Sequence, residues 1–164
     1  MIKTVIVDLG GVYFTDGAKE FVIKLEEQFG VPHTKTREVI DSDWGKQYRT
    51  GEITPEVFWQ NAKKHWNVEI ETKELSTMWF KSYVPIPEMI ELVEKMTAKG
   101  FEVLFLSDNA PDRVDYLQSQ YHFLSKFNST FLTPSVFLIL SSNFLILSTL
   151  PFTTISSRQV WWSR

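Results

Sequence analysis

An α/β fold, with a doubly wound parallel sheet and an inserted set of helices, is what this sequence predicts. Three observations predict it. An apolar run from Ile2 to Val7 reads as a buried strand and ends in Asp8, followed by Gly10 and Gly11. A second apolar run, Phe101 to Leu106, ends in Ser107-Asp108-Asn109. Between them, residues 18–83 carry apolar side chains at helical spacing. In open α/β sheets, ligands bind beyond the carboxyl ends of the strands, so Asp8 and Ser107 stand where chemistry is usually done. Taken alone, each also reads as an ordinary turn or helix-entry residue.

Taken in order, Thr15-Asp16-Gly17 reads as a turn. Ala18, Phe21, Val22, Leu25 and Phe29 then share one helical face, closed by Gly30. Ile40, Trp44 and Tyr48 repeat every four residues and predict a second helix, weakened by Gly45. Thr54-Pro55-Glu56 is a strong helix start, with Thr54 as cap and Phe58, Ala62 and Trp66 facing inward. A further helix is expected from Thr72 to Ser82. Pro87 to Lys99 is the next, with Met89, Val93 and Met96 inward. After the second strand, Pro111 to about Tyr121 forms a helix with Val114, Leu117 and Tyr121 on one face. A third strand begins near Phe127.

The stretch Val5-Ile6-Val7-Asp8-Leu9-Gly10-Gly11-Val12 resembles the first motif of the haloacid dehalogenase-like (HAD) hydrolase superfamily. It matches best the phosphatase branch near the N-terminal domain of soluble epoxide hydrolase. Val103-Leu104-Phe105-Leu106-Ser107-Asp108-Asn109 resembles that superfamily's second motif, in the right order and spacing. The resemblance covers residues 1–128. It implies an incomplete HAD-type doubly wound parallel sheet with an α-helical cap. Residues 1–17 and 84–128 would form a partial core, residues 18–83 the cap, and residues 129–164 a tail rich in Ser, Phe and Leu. It implies that Asp8 is the nucleophile, attacking phosphorus to form an aspartyl-phosphate. Asp8 and the Gly10 carbonyl would bind Mg2+. Ser107, Asp108, Asn109 and Gly11 would hold the phosphate. In the cap, Trp44, Tyr48 and Arg49 are candidates for a substrate pocket; the aromatic residues also read as cap core, and Arg49 as a surface arginine.

Two departures stand out. Many members carry a second Asp two residues after the first, as acid and base for the leaving group; here that position is Gly10. The family also needs a downstream Lys and a downstream acidic motif. In this chain the last Lys is Lys126, the last Asp Asp115 and the last Glu Glu102. Of 37 charged side chains, only Arg158 and Arg164 lie beyond Asn128. The first 128 residues therefore carry 15 basic and 20 acidic groups. The tail has three readings: a membrane segment, a hairpin of Val136–Leu140 and Phe144–Leu147 turning at Ser141-Ser142-Asn143, or non-native coding after the domain was cut short. Loss of charge coincides with loss of the motifs, which favours the last.

The expected function is accordingly a Mg2+-dependent phosphatase of small phosphorylated metabolites, truncated and weakly active or inactive. The alternatives are a non-catalytic remnant that binds phosphate or a protein, or is held at a membrane by its tail, a partner the interrupted apolar runs disfavour, and a haloacid dehalogenase, which uses the same carboxylate on carbon. The absence of cysteine and of a basic-then-apolar leader is compatible with the cytoplasm. The mildly acidic balance gives no reason to expect nucleic acid as partner. Asp41-Ser42-Asp43 with Glu52 mimics a calcium loop but places Lys46 where Gly is needed. His33, His65 and His122 share no ligand spacing.

Overall fold

The computed structural model describes residues 3–132 and 144–147. Strand β1 (Thr4–Val7) is followed by five helices: α1 (Gly17–Phe29), α2 (His33–Ile40), α3 (Asp43–Thr50), α4 (Pro55–Trp66) and α5 (Thr72–Phe80). Helix α6 (Pro87–Ala98) leads into β2 (Glu102–Ser107), and α7 (Pro111–Tyr121) follows it. A short 3-10 turn at Phe123–Lys126 leads to β3 (Ser129–Leu132), and β4 is Phe144–Leu147.

The four strands form one sheet in the order β3-β2-β1-β4, every pair parallel. All four residues of β1 are buried. Such continuous burial, without alternation, marks a parallel strand covered on both faces. The chain runs outward from β1 through β2 to β3, then returns to the other side of β1 for β4. That reversal makes the carboxyl end of β1 the topological switch point, where an open α/β sheet leaves a crevice for ligands.

One expectation for the tail needs amending. Phe144–Leu147 is a strand, and its partner among the described residues is β1, in parallel, Val5 opposite Leu145 and Val7 opposite Leu147. The proposed first arm, Val136–Leu140, lies outside the described residues. That pairing gives β1 a parallel neighbour on the side away from β2, so β1 is not a sheet edge. Among the described residues, no helix is long and apolar enough to cross a membrane.

A second correction concerns the helix expected around Ile40, Trp44 and Tyr48. Two helices meet here, because Ser42 ends one and starts the other. Its hydroxyl donates to the Val39 carbonyl at 2.6 Å and accepts from the Gly45 N–H at 3.2 Å. The corner is so tight that a Cβ on Gly45 would collide with the Ile40 carbonyl oxygen. The glycine therefore permits the corner and does not merely weaken a helix. The remaining elements follow their local signals. Asp16 caps α1 by accepting from the Lys19 N–H, and Gly30 closes it with φ +67°. Thr54 caps α4 by accepting from the Val57 N–H, with Pro55 in the first turn.

Helices α1 to α5 bury a shared aromatic core. Tyr48 stacks on Phe58 at 4.3 Å, Phe21 stacks on Trp79 at 5.2 Å, and Trp59 meets Trp79 edge-on at 5.6 Å. These helices join the sheet through two chain crossings sewn together: the Thr15 N–H donates to the Val84 carbonyl, the Thr15 hydroxyl to the Ser82 carbonyl, and the Ile86 N–H to the Tyr13 carbonyl. Gly45→Ala should destabilise the chain by about 1–3 kcal/mol, as overpacking against fixed backbone does. Urea unfolding measures it; an unchanged midpoint would show that the corner yields at no cost.

Candidate functional site

Asp8 follows the last residue of β1, and Ser107 is the last residue of β2. The parallel register pairs Val7 with Phe105, so the two side chains leave neighbouring strands at the same edge, one residue out of step. Adjacent strands lie about 4.8 Å apart. The register thus places the two residues that the motifs single out at the ends of neighbouring strands. The Leu9 N–H donates to Asp8 Oδ1 at 2.7 Å, which orients the half-buried carboxylate from its own loop. That loop closes tightly: the Phe14 N–H donates to the Leu9 carbonyl at 2.8 Å and the Tyr13 N–H to the Asp8 carbonyl at 3.3 Å. Gly11 sits in the turn at φ +74°, a left-handed conformation that disfavours a side chain.

Ser107 is buried, with 4% of its surface exposed. The Asn109 Nδ2 group donates to its Oγ at 2.6 Å. Asn109 in turn accepts on Oδ1 from Arg113 Nη1 at 2.6 Å, and the same Nη1 donates to the Tyr83 hydroxyl at 3.0 Å. Arg113 is 2% exposed and lies 3.9 Å from the centre of the Trp79 ring. Cation–π contact and hydrogen bonds offset the cost of burying a guanidinium this deep. Its Nε and Nη2 are buried and have no hydrogen-bond partner among the described residues.

The other expected site residues are placed differently. Asp108 is exposed and accepts from Arg49 Nε at 3.3 Å. Arg49 also donates from Nη1 to the Ile40 carbonyl at 2.9 Å, so it bridges the helical insertion to the loop after β2. Such a half-exposed ion pair contributes at most about 1 kcal/mol. Tyr48 is buried, and its hydroxyl donates to both Asp112 oxygens, at 2.9 and 3.0 Å. Its ring belongs to the aromatic core, one of the two roles expected for it. Trp44 is 42% exposed on α3. An open depression of about 500 Å³ beside Glu71, Thr77 and Lys81 touches none of the residues that the motifs name.

Three residues that motif reading missed hold this region together: Tyr83, Asp112 and Arg113. A signal for Arg113 was present. It stands in the first turn of α7, where the helix dipole disfavours a cation, so its position there needs another cause. Tyr83 has no local signature. Its ring packs where a Cβ on Gly17 would sit and lies 3.6 Å from the place of a Cβ on Gly10.

The donor chemistry fits a hard cation only in part. Asp8 and the Gly10 carbonyl are oxygen ligands of the right kind, but no group of three or more His, Asp or Glu able to hold a metal occurs among the described residues. After Leu147, where β4 ends, the sequence continues Ser148-Thr149-Leu150 without a carboxylate.

Burial raises the Asp112 pKa above its ordinary 3.8, outweighing the opposite effects of the Tyr48 hydroxyl and the Arg113 guanidinium. Burial likewise pushes the Tyr48 phenol upward. With its folded pKa raised, Asp112 holds its proton more readily in the folded chain than in the unfolded one. Its contribution to stability is full below the ordinary value and is lost as pH rises through the folded one. Asp112→Asn should remove that loss. Urea unfolding at stepped pH should show the variant gaining on the wild type from pH 3.8 upward and then levelling off. A difference independent of pH would contradict the shift.

Similar proteins share this architecture. No family model matches the sequence. An uncharacterised protein of Dictyostelium discoideum is 26% identical over 128 residues, covering 74% of this chain and 54% of that protein. The chain thus spans about half the length of the curated relative it matches. Among solved structures, a HAD-family enzyme of Bacteroides thetaiotaomicron, in complex with magnesium and inorganic phosphate, superposes with TM-score 0.62 at 20% identity. That match covers 81% of this chain and 69% of the other. A HAD-like family hydrolase of Porphyromonas gingivalis gives 0.61 at 17%, covering 81% and 67%. L-2-haloacid dehalogenase of Xanthobacter autotrophicus gives 0.51 at 18%, covering 79% and 56%. The fold of this chain is that of the haloacid dehalogenase-like hydrolases.

Proposed function

We propose that the chain is a HAD-like hydrolase that acts on small phosphate monoesters through an aspartyl-phosphate on Asp8. The observation that carries this reading is the placement of Asp8 and Ser107 at adjacent carboxyl ends of β1 and β2, beside the switch point of the sheet. The magnesium and phosphate held by the similar enzyme of Bacteroides thetaiotaomicron support it. The reading places the protein in the cytoplasm, with a phosphorylated metabolite as its ligand.

In the first step an Asp8 carboxylate oxygen attacks phosphorus. The P–O bond to the ester group breaks, and the departing oxygen takes a proton from water. In the second step water attacks the phosphorus of the acyl phosphate, releasing inorganic phosphate and restoring the carboxylate. Ser107, Asn109 and the backbone around Gly11 border the phosphoryl group, while the Asp108 carboxylate stays on Arg49. Mg2+, held by Asp8, the Gly10 carbonyl, phosphate oxygens and water, would neutralise charge on the transferred group. With one carboxylate to hold it, its affinity should be low. Gly10 offers no acid for the leaving group, and residues 129–164 contain no Lys, Asp or Glu. Turnover should therefore fall far below the roughly 10 s⁻¹ typical of enzymes.

The test is hydrolysis of p-nitrophenyl phosphate and sugar phosphates with millimolar Mg2+. Slow release of phosphate is expected, reduced at least about a thousandfold by Asp8→Asn. Release that survives this change would overturn the assignment of the nucleophile. The likeness to the Xanthobacter dehalogenase favours a second reading: halide release from 2-chloropropionate, without metal, would support it instead.

A further inference from the structure

Arg113 is a buried cation for which the phosphatase reading has no use, yet it is joined to Ser107 through a single amide. The direction of each hydrogen bond follows from the chemistry of the groups. A guanidinium only donates, so the atom of Asn109 facing Arg113 Nη1 at 2.6 Å must be its oxygen. That fixes the amide, and the opposite atom, Nδ2, must be the one that meets Ser107 Oγ at 2.6 Å. An amide nitrogen cannot accept. Ser107 Oγ is therefore the acceptor in this contact, and its own proton is turned away from Asn109.

We propose that Arg113, acting through Asn109, is a positioning residue that sets the Ser107 hydroxyl as a hydrogen-bond donor to the bound phosphoryl group. The inference rests on the phosphate reading above. A hydroxyl in water or in a loose pocket divides its time between donating and accepting, whereas an anion such as phosphate rewards donation alone. Fixing the sense of the bond before the ligand arrives removes the reorganisation that binding would otherwise require. The anchor of the relay is rigid. Arg113 is 2% exposed, lies against Trp79 at 3.9 Å, and shares the donating Nη1 with the Tyr83 hydroxyl at 3.0 Å. Tyr83 is itself wedged against Gly17, where no side chain fits. The helical insertion, which supplies Trp79, is thereby linked to the sense of a hydrogen bond at the end of β2.

Asn109→Asp tests this in the full chain. The carboxylate keeps the partner of Arg113 and adds an ion pair to it, so thermal stability should hold or rise. It cannot donate to Ser107, however, and would draw the hydroxyl proton to itself. Affinity for inorganic phosphate in the presence of Mg2+, measured by titration calorimetry, should fall at least about tenfold, to the level of Ser107→Ala. In the Ser107→Ala background, Asn109→Asp should cause little further loss. A loss of equal size in that background would be repulsion by the new charge and would overturn the relay. Wild-type affinity retained in Asn109→Asp would overturn it as well, while leaving the phosphate reading intact. A wild-type chain that fails to bind phosphate at all would overturn both. Arg113→Met, which removes the anchor, should weaken phosphate binding, and Arg113→Lys should restore part of it. Equal binding by these two folded variants would contradict the proposal.

Discussion

Complete burial of β1 is the constraint on which the rest depends. Its four residues are inaccessible, and a parallel strand lies on each side. A strand in that position carries polar side chains only at its ends: Thr4, which opens it, donates to Glu102 Oε2 at 2.9 Å, and the next polar group is the one just past Val7. That group is Asp8. The same argument applies to β2, whose apolar run ends in Ser107. The sheet thus sorts polarity along the chain, and the chemistry collects at one edge because apolar covering ends there. Placing β4 on the far side of β1 turns that edge into a crevice.

A second level of order comes from how the helical insertion meets this edge. The contacts that reach from it to the segment after β2 include Tyr48 to Asp112, Arg49 to Asp108, and Trp79 to Arg113. They differ in kind. The Arg49 pair is half-exposed and screened by solvent. The Arg113–Trp79 stack is buried, and the Tyr48–Asp112 bond is partly buried. These two contacts flank the first turn of α7, so the insertion is seated on the helix whose N-terminus follows Ser107. Arg113 offsets part of the charge on Asp112, and each makes the other tolerable at this depth.

Much of this was legible in the sequence where the cause is local. Thr54 and Pro55 announce α4 because capping and a fixed φ act within one turn. Asp8-Leu9-Gly10-Gly11 announces a strand end for the same reason. The break between α2 and α3 was not legible, since Ile40, Trp44 and Tyr48 keep a helical period across it. Only the contact of Gly45 with the Ile40 carbonyl shows why the chain bends. The partner of β4 was missed because strand pairing is long-range: Phe144–Leu147 fits a hairpin and a parallel sheet equally well as a four-residue apolar run. The dual reading of Tyr48 had the same origin. Its aromatic ring suits a pocket or a core, and the stack on Phe58 at 4.3 Å places it in the core. Arg113 was visible as an anomaly, a cation at the wrong end of a helix, but its partners come from distant segments.

The convergence of Asp8 and Ser107 on one phosphoryl group is the central claim, and a crystal structure of the chain soaked with phosphate and Mg2+ tests it most directly. The account predicts phosphorus within about 4 Å of an Asp8 carboxylate oxygen, with the Ser107 hydroxyl within hydrogen-bond distance of a phosphate oxygen. Phosphate bound away from that edge, or an Asp8 carboxylate turned from Ser107 with protein packed between them, would contradict it.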